Sequence, residues 1–315
     1  MKSNTCKYAR NFYLKSFRDD NTIDFLTAAA LFINVVDSSE GDVVLHFSGG
    51  YISPGFAVPL MSARDSKNKK GYNLYFQAKE LDSTPEMRTF FLSSGIHNTL
   101  NEQSQNTVKR MLHTNQKKES GDMSVPAHAI LLSDIAENDD GNRVLLNEAI
   151  KLLMMIFTDS STKDRSSLYV PLVVSVLELF ENARDHGLGN KIYSIAQDAR
   201  DGDHLVIIYD DGMGIPGAYR AYQATLKNKM QSNKTDVEIM EWALRKGTST
   251  KQAIRGIPRG LGLPGIREFA DNYSAEFGIA SGNGIYYYEG SKPQIIKIEN
   301  GLPGTMFVLK VHSWR

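Results

Sequence analysis

The sequence predicts an α/β (α+β) chain, and three observations carry that reading. In the first third, short apolar runs such as Asp42–Phe47 alternate with segments of helical period, the pattern of a sheet covered by helices. Further on, Tyr169, Leu172, Val173, Val176, Leu177 and Phe180 recur at three- and four-residue steps, as in a helix that buries one face. Beyond it, Lys191–Ala199 and His204–Tyr209 read as strands around a turn at Asp201-Gly202, and further strand-like runs with Gly and Pro turns finish the chain.

Composition narrows the classes. The 315 residues suffice for two domains, each with its own core. Thirty-six basic residues balance thirty-six acidic ones, so no net field points to nucleic acid or anionic lipid. A single cysteine, Cys6, excludes an intramolecular disulfide and fits a reducing compartment. Met1–Asp20 lacks the apolar core of a signal peptide, and the longest apolar stretches, Phe25–Val36 and Leu152–Phe157, are too short to span a bilayer. These features predict a soluble, cytoplasmic protein without membrane or nucleic-acid partners.

Each element has its own signal. Thr22–Val36 has helical period, and Asp42–Phe47 reads as a buried strand bounded by Gly41 and Gly49-Gly50. Ser53-Pro54 opens a second helix, Ser as cap and Pro at the first position, through Phe56, Leu60 and Met61. Pro59 is expected to kink it, and Lys67–Gly71 to end it. Tyr72–Phe76 follows as a strand and Met87–Leu92 as a helix stopped by Gly95. Residues 98–141 read as a polar linker, and Asn142–Phe157 as an apolar helix facing the core or a dimer partner. Pro171 suits the first turn of the helix that reaches His186. Gly217–Ile257 reads as a long connection with one helix, Val237–Arg245, in the manner of a lid. An apolar helix then runs to Phe269 and Ala270, before four strands at Tyr273–Ala280, Gly284–Tyr288, Gln294–Ile298 and Met306–Val311. The resulting boundaries are 1–97, 98–141 and 142–315.

Chemistry concentrates in three places. Glu178 and Asn182 stand four residues apart on one helix, with Asp185 three further on, so two carboxylates and an amide project together. Such oxygens suit hydrated magnesium, held by Asn182 and a phosphate chain, while Glu178 can take a proton from water or a hydroxyl. Asp210 leaves its strand into Asp211-Gly212-Met213-Gly214, where glycines permit close approach and a fixed carboxylate suits the exocyclic amine of adenine. Gly260 and Gly262 open a helix whose N–H groups and dipole favour phosphate, without a Walker lysine anywhere in the chain.

Two resemblances follow from these residues. Val43–Ser48, Tyr51–Phe56 and Phe90–Ile96 resemble a STAS domain, the fold of bacterial anti-sigma factor antagonists, over the first third of the chain. That likeness implies phosphorylation of a helix-start serine, here Ser53, although Ile52 and Pro54 beside it depart from the pattern. Glu178 with Asn182, Asp210 with Gly212 and Gly214, Gly260 with Gly262, and Gly304-Thr305 resemble the successive boxes of the GHKL ATP-binding fold. It implies a two-layer sandwich, a mixed sheet covered by helices on one face. It also implies ATP and Mg2+ as cofactors, Glu178 as base, Asn182 as magnesium ligand and Asp210 as adenine reader supported by Thr305. Gly256, Arg259, Gly260, Leu261 and Gly262 would line the phosphates and Lys251 would close over them; Pro258 stands where many members carry glycine. Relatives of this fold often dimerise, so a homodimer is allowed.

Glu178 through Gly187 is most similar to anti-sigma factor serine kinases, which act on STAS antagonists. Three functions stay open: an ATP-driven switch of a protein interaction, a protein serine/threonine kinase, and a binding module that uses ATP without turnover. A sensor histidine kinase is disfavoured, because no histidine is followed by the acidic residue and proline of a phosphoacceptor helix.

Overall fold

Leu205-Val206-Ile207-Ile208-Tyr209 contains no polar break, and the strand built from it is buried on both faces, as such runs require. Around it the computed structural model describes residues 10–14, 21–47, 52–76, 124–132, 139–157, 166–186, 189–198, 203–225, 233–245, 262–273 and 275–312, with positions 90, 94, 96, 106 and 135. The described strands are β1 (Arg10–Leu14), β2 (Val43–Phe47), β3 (Leu74–Phe76), β4 (Ser124–Leu131), β5 (Lys191–Asp198), β6 (His204–Asp210), β7 (Ala275–Glu289) and β8 (Lys292–Val311). The described helices are α1 (Thr22–Ser38), α2 (Ala57–Lys69), α3 (Asp139–Phe157), α4 (Ser166–His186), α5 (Gly214–Thr225), α6 (Asp236–Ala243) and α7 (Gly262–Tyr273).

The chain is mixed α/β. A three-stranded parallel sheet, ordered β1-β2-β3, has α1 and α2 as its crossover helices. Asn21 caps α1 by accepting from Ile23 and Asp24 N–H, and Gly71, at φ 76°, ends the turn after α2. Pro59 lies in the first turn of α2, where it has no intrahelical hydrogen bond to lose, so the predicted kink is not needed. The second sheet has five strands in the order β4-β5-β6-β8-β7.

Several expectations are corrected. Every pairing in the five-stranded sheet is antiparallel, where a mixed sheet was expected. β4 lies inside the segment read as a linker and pairs with β5 through Ile130↔Ile192; its Val125, Ala127, Ala129 and Leu131 alternate along the chain as in a strand. α4 begins at Ser166, placing Pro171 in its second turn. The connection after Gly214 holds an additional helix, α5, whose Tyr219 packs edge-on against Trp242 of α6 at 4.9 Å. The four terminal runs join into two long strands, because the hairpin stays paired while its register shifts between Ser281 and Gly284. There the hairpin folds back, and Tyr286 and Tyr288 return to within 5.9 and 5.3 Å of Phe277. The helix expected at Met87–Leu92 lies outside the described residues except at Phe90, which is helical.

The largest correction concerns the layers. On one face of the five-stranded sheet, Ile192, Ala196, Val206, Ile208, Phe307 and Leu309 pack with α3, α4 and α7. On the other, Tyr193, Ile195, Leu205, Ile207, Tyr209 and Val308 pack with Phe25, Leu26, Phe56 and Leu60 of the N-terminal part. Helices therefore cover both faces, and the described elements among the first 97 residues share a core with the sheet. Phe56, fully buried, sits at this join with its ring 4.8 Å from Phe32 and 6.5 Å from Phe90. Phe56→Ala is expected to cost about 3–5 kcal/mol. Urea unfolding followed by tryptophan fluorescence checks this: Trp242 and Trp314 both lie in the C-terminal half, yet their midpoint should fall. An unmoved midpoint would show that the two parts melt independently.

Candidate functional site

Helix α4 buries Leu172, Val173, Val176, Phe180 and Ala183 in the core. Ser175, Glu178 and Asn182 follow one stripe at i, i+3 and i+7 on the flank beside that buried arc. α7 crosses at the root of this stripe, where a Cβ on Gly265 would stand 2.5 Å from Ser175 Oγ. Glu178 is half-buried and Asn182 exposed, so the stripe runs from interior to solvent on the side that α7 occupies.

The end of β6 and the middle of the β7–β8 hairpin form a polar row on the same face of the sheet as α4. Asp210 of β6 is the cross-strand partner of Thr305 on β8, which in turn faces Ser281 on β7. Ser281 Oγ donates to the Gly304 carbonyl at 2.9 Å, lies 3.1 Å from Thr305 Oγ1, and accepts the N–H of Ile215 at 2.9 Å. The backbones around this row are nearly touching. Gly304 has φ 84°, and a Cβ there would collide with the Asp210 carbonyl. Gly214, at φ 71°, would bring a Cβ within 2.6 Å of both Gly304 O and Ser281 Oγ, so both positions demand glycine.

Asp210 is buried, and one oxygen accepts the Gly212 N–H at 3.0 Å. Burial pushes its carboxyl up to about 7, with the charge of Asp211 adding to the rise and hydrogen bonds from Gly212 and Thr305 opposing it. A carboxyl poised there is ionised in part at neutral pH and can accept from a ligand donor. Asp211 does other work. Its Oδ1 accepts the N–H groups of Asn190 and Lys191 at 2.6 and 2.9 Å, and its Oδ2 meets Lys69 of α2 at 3.1 Å. Nearby, Asp65 of α2 binds Lys191 at 2.6 Å and accepts from Tyr193 OH at 3.2 Å. Burial raises the Asp65 carboxyl, but the Lys191 hydrogen bond and the Arg64 charge outweigh it and hold it below the usual range.

Of the expected site residues, the structure joins Asp210, Gly212, Gly214 and Thr305 in one cluster, with Glu178 and Asn182 on the helix that covers the same sheet face. Gly262 is the first residue of α7. Lys251, Gly256, Arg259, Gly260 and Leu261 lie outside the described residues, as does the side chain of Asp185. Ser53, the serine that the STAS likeness implies as a phosphosite, is fully buried, and its Oγ caps the turn Pro54–Phe56 by accepting from Gly55 N–H at 3.1 Å, the cap role that its place before Pro54 predicts. Ser281 was missed, since Ala280-Ser281-Gly282-Asn283-Gly284 reads as a break between strands. Its signal was a hydroxyl residue closing an apolar run before glycines.

No family model matches this chain, and no curated protein matches it. No helix among the described residues is long and apolar enough to cross a membrane.

The raised Asp210 has a consequence for the ligand-free protein. Between the ordinary carboxyl value near 4 and the folded value of about 7, the folded state holds a proton that the unfolded state has lost. The stabilisation is complete at low pH and is lost as pH rises through 7. Thermal melts between pH 5 and 8 should show a steeper fall for wild type than for Asp210→Asn; equal slopes would mean an unperturbed carboxyl.

Proposed function

We propose that the chain is an ATP-binding regulatory protein with a nucleotide pocket of the GHKL type, which hydrolyses ATP with magnesium to switch a protein interaction. The observation that carries this reading is the Asp210–Thr305–Ser281 row, a buried carboxylate fixed at the end of β6 on the sheet face covered by the helix that bears Glu178 and Asn182. Asp210, when ionised, accepts the exocyclic amine of adenine, and Thr305 holds the carboxylate in place. Asn182 offers an exposed amide oxygen and Glu178 a half-buried carboxylate one turn away, a hard-oxygen set that suits magnesium and phosphate. The ion would neutralise charge on the phosphate chain, while Glu178 takes the proton of the attacking water. Gly262 at the start of α7 leaves backbone N–H groups for phosphate oxygens.

Two observations support a regulatory role. The parallel layer β1-β2-β3 with α1 and α2 has the strand–helix alternation on which the STAS-like reading of the first third rests. The Lys69–Asp211 contact joins that layer to the residue after the adenine reader.

Two measurements test the pocket. Adenosine affinity should fall roughly tenfold for each pH unit below about 7 and level off above it, because only ionised Asp210 accepts the amine. In Asp210→Asn that profile should be flat; no adenosine binding at any pH would end the adenine assignment. With γ-labelled ATP and magnesium, wild type should release free phosphate, and Glu178→Gln should release it roughly a hundredfold more slowly or less while still binding ATP. Label transferred to a protein hydroxyl would replace the switch by a kinase, and binding without either product would leave a binding module.

A further inference from the structure

Where the folded-back tip of the β7–β8 hairpin returns to its root, three metal-ligating side chains converge. Glu276 near the start of β7, Glu289 at its end and His312 just beyond β8 each place one donor atom within 4.8 Å of the others. Glu276 is 6% exposed, and His312 Nε2 stands 4.0 Å from its Oε2. The cluster lies far along the sheet from the Asp210 row, since Glu276 pairs with Lys310 and Ser281 with Thr305.

Two features separate this cluster from a chance gathering of carboxylates. First, Asp203, outside the cluster, lies 3.1 Å from His312 Nδ1. A carboxylate accepting there fixes the tautomer with its lone pair on Nε2, which is how metal-binding imidazoles are held. That lone pair then faces the Glu276 carboxylate across 4.0 Å, a gap that a divalent cation can bridge. Second, the Tyr287 hydroxyl lies 2.6 Å from Glu276 Oε2 and 2.8 Å from Glu289 Oε2. One phenolic proton cannot serve both carboxylates. Lys310, the cross-strand partner of Glu276, stands 3.5 Å from Asp203.

We propose that Glu276, Glu289 and His312 Nε2 bind a divalent transition-metal ion of the zinc class, with a fourth position left to water. Donors at about 2.0–2.2 Å from zinc stand roughly 3.4 Å apart, so His312 and Glu276 must approach by about half an ångström. Glu289, which is exposed, closes from the solvent side. The ion staples the hairpin tip to its root. It also reaches α1, because Thr22 Oγ1 donates to Glu276 Oε1 at 2.5 Å.

The test uses the full chain, stripped with chelator and free of nucleotide, titrated with zinc chloride by calorimetry and followed by thermal melting. About one equivalent should bind per chain and raise the melting midpoint. Glu289→Gln and His312→Gln should each weaken binding by tenfold or more, and Asp203→Asn by about 10–100-fold. Absence of zinc binding in the wild type, or an affinity unchanged in Glu289→Gln and His312→Gln, overturns the proposal. Because no nucleotide is present, either result is independent of the ATP reading.

Discussion

The whole arrangement depends on a sheet with two apolar faces. Tyr193, Ile195, Leu205, Ile207, Tyr209 and Val308 project from one side, and Ile192, Ala196, Val206, Ile208, Phe307 and Leu309 from the other. Each large side chain moved from water into a core contributes about 1.5–3 kcal/mol, so leaving either side open would forfeit much of the stability of an ordinary domain. The helices of the first third are therefore obligatory cover for the sheet. The Asp65–Lys191 and Lys69–Asp211 pairs then orient layers that hydrophobic burial already holds together.

This constraint also explains where polar chemistry can sit. A sheet sealed on both sides has room for ligands only at strand ends, where backbones diverge and side chains escape the apolar layers. Asp210 is the last residue of β6, Thr305 pairs with it, and Ser281 stands at the bend of β7. The same bend lets the hairpin fold back. Asn283 N–H, donating to Asp236 at 2.7 Å, ties it to α6, and the returned tip brings Glu289 to Glu276 at the opposite end. One irregularity in β7 thus shapes both polar clusters.

How much of this was legible depended on whether the signal was local. Helical period marked α1, α3 and α4 closely, and the Asp210 turn and the Gly304-Thr305 pair could be found by residue type and spacing. β4 was also readable, since Val125, Ala127, Ala129 and Leu131 alternate, and it was overlooked because a polar stretch precedes it. The cover on the second sheet face was readable and was overlooked: unbroken runs such as Leu205–Tyr209 announce burial on two sides. The Glu276–Glu289–His312 cluster was not readable, since it exists only after the hairpin doubles back over itself.

On the ATP reading, the coupling between pocket and N-terminal layer has a physical limit. Tyr209 faces α2 and its hydroxyl donates to Pro303 O at 2.5 Å, Asp210 faces the opposite layer, and Asp211 reaches Lys69. Three successive residues at one strand end thus report to three different partners. A displacement of that end would reach α2 both through the packing of Tyr209 and through the Lys69–Asp211 contact. The Lys69–Asp211 contact is half-exposed on its lysine side, and pairs of that kind contribute about 0–1 kcal/mol. Energies of that size change a partner's affinity by roughly fivefold at most. Signalling through this contact alone is therefore graded, and an all-or-none response would require α2 to leave the sheet, which the apolar face beneath it opposes.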